Sequence, residues 1–452
     1  MLQEKDSKHS FAKKLLSLIL PIAFSQFMLA LVSASDAFML GKLSQNALSA
    51  VSLASQITFV QNLFLAAMTI GLSMIAAQYW GKSDKDSVEK IFAYVLKITI
   101  IVSLIFFIAG LLIPKILMRI FTDNITLIDL GAVYLRVVSP SYWLTGISQI
   151  YLCILKNSNK AAKSSVISSV SVIVNIALNT VFIFGLLGFR KMEIAGAALA
   201  TVIARIAEVL WCLTETAKKD SVKLKLNNIF HSDEILKKSF WKYTLPVLGN
   251  EIVWGIGFTM YSVIIGHLGT DAVAANSIAN IVKNLIACFC IGLGSGGGIM
   301  IGNELGASRI DKAKQYGDKL CKLSIISGAV TGVILLALSP LIISITDLSE
   351  QANTYLKWML VMCSYYMIGK SINSTTIAGI FCAGGDSKFG FKCDAVTMWC
   401  ITVPIGLIAA FVLKLPVLAV YFIINLDEIV KLPAVYKHYK KYNWLKNITV
   451  DN

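Results

Sequence analysis

Asp36 lies near the far end of the first long apolar run of the chain. A carboxylate at that depth in hydrocarbon is expensive and is by default a functional candidate. Asn175 and Asn179 are spaced i,i+4, which puts both amides on one face of a helix, and Thr201 follows in the next apolar run. Asp36 is five residues before Gly41, Asn179 six before Gly185, and Thr201 eight after Glu193. At a helical rise of about 1.5 Å per residue, all three lie about 8–12 Å below the same surface. One carboxylate, two amides and a hydroxyl at a common depth form an oxygen-rich site for Na⁺. The same carboxylate, neutralised, could instead carry a proton. The plainer alternative is that Asp36 only reaches the interface while the amides join helices through hydrogen bonds.

A second charged group occurs later, with Glu251, Lys283 and Lys370 at similar depth in three further apolar runs. An acid beside a lysine there is expected to remain ionised and paired, because stranding either charge is costly. A structural ion pair and a substrate- or gate-related role for Glu251 are both open. Trp254, Phe258, Met260, Tyr261 and Trp143 could line an aromatic cavity suited to lipophilic cations, or serve as ordinary packing. The run Gly292–Gly298, GLGSGGG, lacks the Gly-Lys-Ser/Thr of a phosphate loop and sits within an apolar segment, so it reads as close helix packing or a bendable helix. The histidines His9, His231, His267 and His438 show no metal spacing, so no metal or cofactor is expected beyond Na⁺ or H⁺ as coupling ion. The nine cysteines fall in apolar segments or at their ends and read as reduced packing residues.

The elements that position these residues follow from composition. The chain has 452 residues, 56% hydrophobic and 15% charged, with a mean hydropathy of +0.71. So few charges cannot cover a soluble surface of this size. The apolar runs recur at about 20 residues, the length that crosses a bilayer core as a helix, and are too continuous for alternating barrel strands. The prediction is an all-α integral membrane protein with twelve transmembrane helices, at 14–38, 47–78, 92–113, 128–153, 163–187, 193–215, 238–267, 272–302, 318–345, 355–381, 392–414 and 416–435. The first run is too long for a signal peptide and continues into the first span.

Lysine and arginine concentrate on alternate loops, at the N-terminus (Lys5, Lys8, Lys13, Lys14), in the long loop after the sixth span, and at the C-terminus (Lys431, Lys437, Lys440, Lys441, Lys446). That asymmetry predicts both termini in the cytoplasm of a multi-pass plasma-membrane protein. It also places the net charge of +15 beside anionic headgroups of the membrane lipids, so no nucleic-acid partner is needed.

Shifting the sequence by 225 residues superposes its halves: Leu20-Pro21 falls on Leu245-Pro246, Gly41 on Gly266, Ala47 on Ala272, Ala54 on Ala279, Gly71 on Gly296 and Gly81 on Gly306. Proline and glycine matches carry the most weight, because those residues have positional meaning in helices. The repeats have the same orientation, which predicts two six-helix lobes related by a pseudo-two-fold axis along the membrane normal. The domains expected are an N-terminal lobe (1–216), a basic linker (217–237) tying the lobes loosely, a C-terminal lobe (238–436) and a tail (437–452). Two complete lobes in one chain allow a working monomer. Pro21 and Pro246 are candidate kinks in the first helix of each lobe.

The segments SDAFMLGKLSQNALSAVSLASQ, YSVIIGHLGTDAVAANSIAN, AAQYWGKSDKDSVEK, GNELGASRIDKAKQYG, IAGAALATVIAR and FCAGGDSKF together resemble the multidrug and toxic compound extrusion (MATE) family across nearly the whole chain. The resemblance implies two six-helix lobes around a central cavity, and export of small, mostly cationic lipophilic compounds driven by inward Na⁺ or H⁺. It also implies a cation site in the N-terminal lobe, at Asp36, Asn175, Asn179 and Thr201. In the C-terminal lobe the sequence departs from members with acids in spans seven and ten. Glu251 is about one turn from the usual place, and Lys370-Ser371 occupies the neighbourhood of the second acid. The alternative to the antiporter is a flippase of a related transporter group moving lipid-linked oligosaccharides or precursors. An enzyme would need convergent catalytic side chains at depth, a channel a ring of like charges or a filter loop, and neither pattern occurs. No ATP-binding motif appears, so an ion gradient supplies the energy.

Overall fold

The structure is a computed structural model that describes residues 2–230, 233–346 and 348–450; His231 lies outside them. Its elements are α1 (Leu2–Gly41), α2 (Gln45–Gly81), α3 (Lys85–Leu112), α4 (Pro114–Arg119), α5 (Ile125–Asn157), α6 (Ala161–Phe184), α7 (Glu193–Thr216), α8 (Leu226–Phe230), α9 (Glu234–Gly266), α10 (Thr270–Gly306), α11 (Ile310–Ile345) and α12 (Glu350–Asn373). The rest of the chain is more broken. It contains α13 (Ser387–Ala395), α14 (Val403–Leu407), α15 (Val417–Ile424), α16 (Asp427–Val430) and α17 (Leu432–Tyr439), with π-helical turns at Ser374–Phe381, Val396–Thr402 and Ile408–Val412. Among the described residues there is no strand, and nine helices are long and apolar enough to cross a membrane. The other three predicted spans are met by α5, by α12 with its π-helical continuation, and by the broken run α15–α17. Pro21 and Pro246 lie inside unbroken stretches of α1 and α9.

Along parts of α3 and α11, small and polar residues face inward and branched apolar residues face outward. Helix α3 buries Thr99, Ser103 and Gly110 while Ile101, Ile105, Ile108 and Leu112 are exposed. Helix α11 buries Ser324, Ser327, Gly328 and Thr331 while Ile326, Val330 and Val333 are exposed. In water that arrangement would be unstable. In lipid it is the expected one, because small and polar residues let helices pack and hydrogen-bond while branched side chains face the acyl chains.

The chain divides into two compact units. One comprises Met28–Ala76 and Asp84–Phe240; the other comprises Met1–Phe27, Ala77–Ser83 and Trp241–Asn452. We call them the N-terminal and C-terminal units. Each buries one copy of the repeated alanines, Ala47 and Ala54 in the first core and Ala272 and Ala279 in the second.

Two expectations from sequence are refined. The Gly292–Gly298 run is a packing surface within the C-terminal unit. A Cβ on Gly292 would lie 2.7 Å from the Ala23 Cβ, and one on Gly294 would lie 2.5 Å from the Ser374 carbonyl oxygen. The linker is not loose in its first part. Val222 is buried, the Lys223 amide donates to the Glu89 carboxylate at 3.1 Å, and Lys160 donates to the Ser221 hydroxyl at 2.6 Å. Lys225 pairs with Glu89 at 2.7 Å; its hydrogen bond to Glu89 holds its ammonium above the usual lysine range.

The inner turns of α2 and α10 cross at repeat-equivalent positions. A Cβ on Gly81 would lie 2.0 Å from the Asn303 carbonyl oxygen, and one on Gly306 would lie 1.8 Å from the Gln78 carbonyl oxygen. The next equivalent pair, Ser83 and Ser308, share a left-handed backbone, with φ of 65° and 58°. The chain after α17 covers this crossing. Gln78 Nε2 donates to the Ala383 carbonyl at 2.7 Å and to the Lys446 carbonyl at 3.1 Å, and Gln78 Oε1 accepts from the Ile448 amide at 2.8 Å. Trp444 is fully buried.

Candidate functional site

The four polar residues singled out in the first half come together in the N-terminal unit. Gly185, at φ 73°, ends α6 in a left-handed cap, and the Met192 amide returns to the Phe182 carbonyl at 2.9 Å. Gly196 then lets α7 press against Phe182, where a Cβ would lie 2.8 Å from the backbone. Close packing of α6 on α7 brings the amides to the hydroxyl. Asn175 Nδ2 donates to Thr201 Oγ1 at 3.2 Å, and Thr201 Oγ1 donates to the Ala197 carbonyl at 3.0 Å. Asn179 Nδ2 donates to Asn175 Oδ1 at 3.2 Å and to Asp36 Oδ1 at 2.6 Å.

Asn175 and Asn179 are buried, and Asn179 Oδ1 has no hydrogen-bond partner among the described residues. A buried amide oxygen left unpaired is costly. The group also holds the Asp36 carboxylate, the Asn175 carbonyl oxygen and the Thr201 hydroxyl, oxygens of the kind a hard cation takes, with the amide nitrogens of Asn179 and Asn175 turned toward the carboxylate and the hydroxyl. Tyr134 adds a hydroxyl within electrostatic reach of Asp36. Sequence reasoning missed it, because an aromatic residue in an apolar run carries no signal of which helix it faces.

In the C-terminal unit the partners differ from those expected. Lys370 pairs with Glu428, at 3.4 Å, rather than with Glu251, and its ammonium lies 5.6 Å from the Trp254 ring centroid. Lys283 donates to the Asn425 amide oxygen at 3.5 Å and stacks over Tyr366 at 4.7 Å. Lys431 is buried between Asp394, at 2.8 Å, and Glu428, at 3.1 Å. It is therefore not one of the headgroup-facing lysines of the tail. The reason is proximity: α15–α17 passes α12 and α13, and places its own acids against their charges before Glu251 on α9 can reach them. Glu251 is half-buried and forms no ion pair among the described residues; it remains within electrostatic reach of Lys370.

The residues missed were Asn373, Asp394, Asn425, Asp427, Glu428 and Lys431. The signal for the last four was present in NLDEIVKL at 425–432, three charges inside a predicted span, which lipid penalises.

Of the predicted cavity residues, Trp254 and Phe258 stack with centroids 5.5 Å apart, and the Tyr261 hydroxyl meets Thr402 Oγ1 at 2.6 Å. Met260 is half-buried. Trp143 belongs to the N-terminal unit and is 38% exposed.

Long apolar helices with hydrogen-bonded charges inside them define a multi-pass membrane protein. The MatE family profile matches residues 21–181 and 246–408, and the chain belongs to that family. Similar relatives include the "Uncharacterized transporter YisQ" of Bacillus subtilis (strain 168), 24% identical, with 96% of this chain and 95% of the relative covered. The "Probable multidrug resistance protein YoeA" of the same strain is 23% identical, at 99% and 97% coverage. Among solved structures, an outward-facing multidrug resistance MATE transporter of the MOP superfamily superposes with a TM-score of 0.87 at 17% identity, covering 95% of each chain. The Vibrio cholerae MATE transporter VcmN in its bent form superposes with a TM-score of 0.84 at 18% identity, covering 97% of this chain and 98% of that one. The fold is the twelve-helix transporter fold of these proteins.

Proposed function

We propose that the protein is a cation-coupled antiporter that exports small cationic lipophilic compounds by alternating access, driven by inward Na⁺ or H⁺. In this reading it works as a monomer in the plasma membrane, with both termini in the cytoplasm. The supporting observation is the oxygen-lined group around Asp36, in which Asn179 holds one carboxylate oxygen at 2.6 Å and keeps its own buried carbonyl oxygen unpaired.

An entering cation would take the place of missing donors at Asn179 Oδ1 and cancel the charge of Asp36. Its departure would leave the group short of one partner, which gives the two loading states different energies and lets them favour different conformations. Asn175 and Thr201 orient Asn179, so that its amide nitrogen faces the carboxylate. Several relatives are named probable multidrug resistance proteins, which supports drug export as the reading for this chain.

The test is efflux of ethidium from membrane vesicles with Na⁺ and pH gradients imposed separately. Asp36→Asn is expected to fold normally, judged by its thermal unfolding midpoint, yet to lose gradient-driven export. Undiminished export by that variant refutes the assignment. The gradient that drives the parent identifies the coupling ion.

A further inference from the structure

Three helices of the C-terminal unit lose regular geometry at the same charged cluster. The π-helical turn Ser374–Phe381 begins immediately after Asn373, the turn Val396–Thr402 begins two residues after Asp394, and the break between α15 and α16 immediately precedes Asp427. π-Helical turns concentrate at functional sites, and interrupted membrane helices commonly mark ion and substrate sites. Lys283 is 13 residues into α10, counted from Thr270, or about 20 Å along the helix, so the cluster lies well inside the spans.

The partners within the cluster are unevenly distributed. Asp394 and Glu428 are held by Lys431 and Lys370, and Asn373 Nδ2 adds two hydrogen bonds of 2.7 Å, to the Glu428 carboxylate and its carbonyl. Asp427 is 3% exposed, and among the described residues its Oδ1 has no hydrogen-bond partner and it forms no ion pair. Lys283, 8% exposed, likewise has no acid partner among the described residues and rests on the Asn425 amide oxygen and the Tyr366 ring. An unpaired aspartate and an unpaired lysine therefore share one buried cluster, within electrostatic reach of each other. The other charged or titratable groups facing Asp427 are Lys370, Tyr365 and Tyr366 from α12, Tyr261 from α9, and its own neighbours Glu428 and Lys431.

We propose that Asp427 holds an exchangeable proton, and that Lys283 is the partner it acquires when that proton leaves. The geometry described here is the protonated state: a neutral Asp427 tolerates its missing ion pair, and Lys283 is left to Asn425 and Tyr366. Loss of the proton to water creates a carboxylate that draws the Lys283 ammonium from the Asn425 oxygen. Because Asn425 occupies the break between α15 and α16, the exchange acts where the last span is already interrupted. A proton fits better than Na⁺, since three lysines already crowd the cluster and Asp427 presents one open oxygen rather than a cage. The site is independent of Asp36 and stands whether or not Asp36 couples transport.

The test is infrared difference spectroscopy of the full chain reconstituted in lipid, stepped from acid to alkaline pH, with protons as the only ligand. Asp427→Asn is expected to lose one titrating protonated-carboxyl band that persists in Asp36→Asn. Lys283→Met should keep that band but shift its titration midpoint. Asp427→Glu should move the band in frequency, and it decides the matter if the asparagine variant fails to fold. An Asp427→Asn or Asp427→Glu spectrum identical to the parent's overturns the proposal. So does a parent band at Asp427 that answers to NaCl in place of KCl at constant pH.

Discussion

At the scale of single residues, buried charge separates two kinds of position. Glu428 satisfies two lysines and an asparagine at once. Glu428→Gln is therefore expected to cost about 3–5 kcal/mol, because it leaves Lys370 without an acid and buried Lys431 with Asp394 alone, and the loss reads as a lower thermal unfolding midpoint in detergent. Glu234, 79% exposed in its pair with Lys237, is the control; its glutamine variant should change stability by less than about 1 kcal/mol. In the N-terminal unit, Asn179→Leu removes the donor that fixes Asp36. A hydrogen bond to a charged group contributes about 1.5–3 kcal/mol. The ion concentration needed for half-maximal ethidium efflux should therefore rise roughly tenfold or more, while Asp36 itself remains.

The N-terminal group was legible from sequence because its residues are polar exceptions in apolar runs and their depths could be counted from Gly41, Gly185 and Glu193. The charges of the C-terminal cluster carried the same signal at 427, 428 and 431, but their burial and partners were not legible, for a different physical reason. Lys431 follows an apolar run and looks like the first lysine of a basic tail, and only packing of α15–α17 on α12 and α13 reveals it as buried. Span counting treats a helix as uniform, so it cannot see that Asn425 interrupts one. The pairing of Lys370 with Glu428 joins positions 58 residues apart, a separation on which helical periodicity is silent.

At the scale of elements, helix crossings depend on absent side chains. Gly306→Ala would push a methyl group to within 1.8 Å of the Gln78 carbonyl, and Gly81→Ala does the same from the other side. Each should cost about 1–3 kcal/mol or more, as overpacking does. Gly266, where an added Cβ would meet nothing within 4 Å, should accept alanine with little change. Thermal unfolding of the three variants checks the contrast. The span positions and the repeat register were readable because lipid imposes length and hydropathy on every helix. The π-helical turns were not, since the residues of Ser374–Phe381 and Val396–Thr402 have no composition that distinguishes them from an α-helix.

At the scale of the whole chain, the segment after α17 is structural. Trp444 is fully buried, stacks on Tyr439 with centroids 5.5 Å apart, and would collide with a Cβ on Gly317 or Gly384. Trp444→Ala should lower stability by about 3–5 kcal/mol, and deletion of residues 440–452 should lower it further, both read from thermal unfolding of purified protein. A tail of charged residues gave no sign of this role, because Trp444 and its neighbour Leu445 are set among Asn443, Lys446 and Asn447.

The crossing of Gly81 with Asn303 and of Gly306 with Gln78 is reciprocal, since each glycine meets the residue that corresponds, 225 positions away, to its own helix's contact. A contact of that kind is what two identical molecules make about a two-fold axis. A polypeptide half this length, carrying one glycine and one amide residue at that helix end, could have closed the same joint with a second copy of itself. Gene fusion would then have inherited the joint ready-made, and freed the two copies to diverge into an aspartate at position 36 and a tyrosine at its counterpart, position 261.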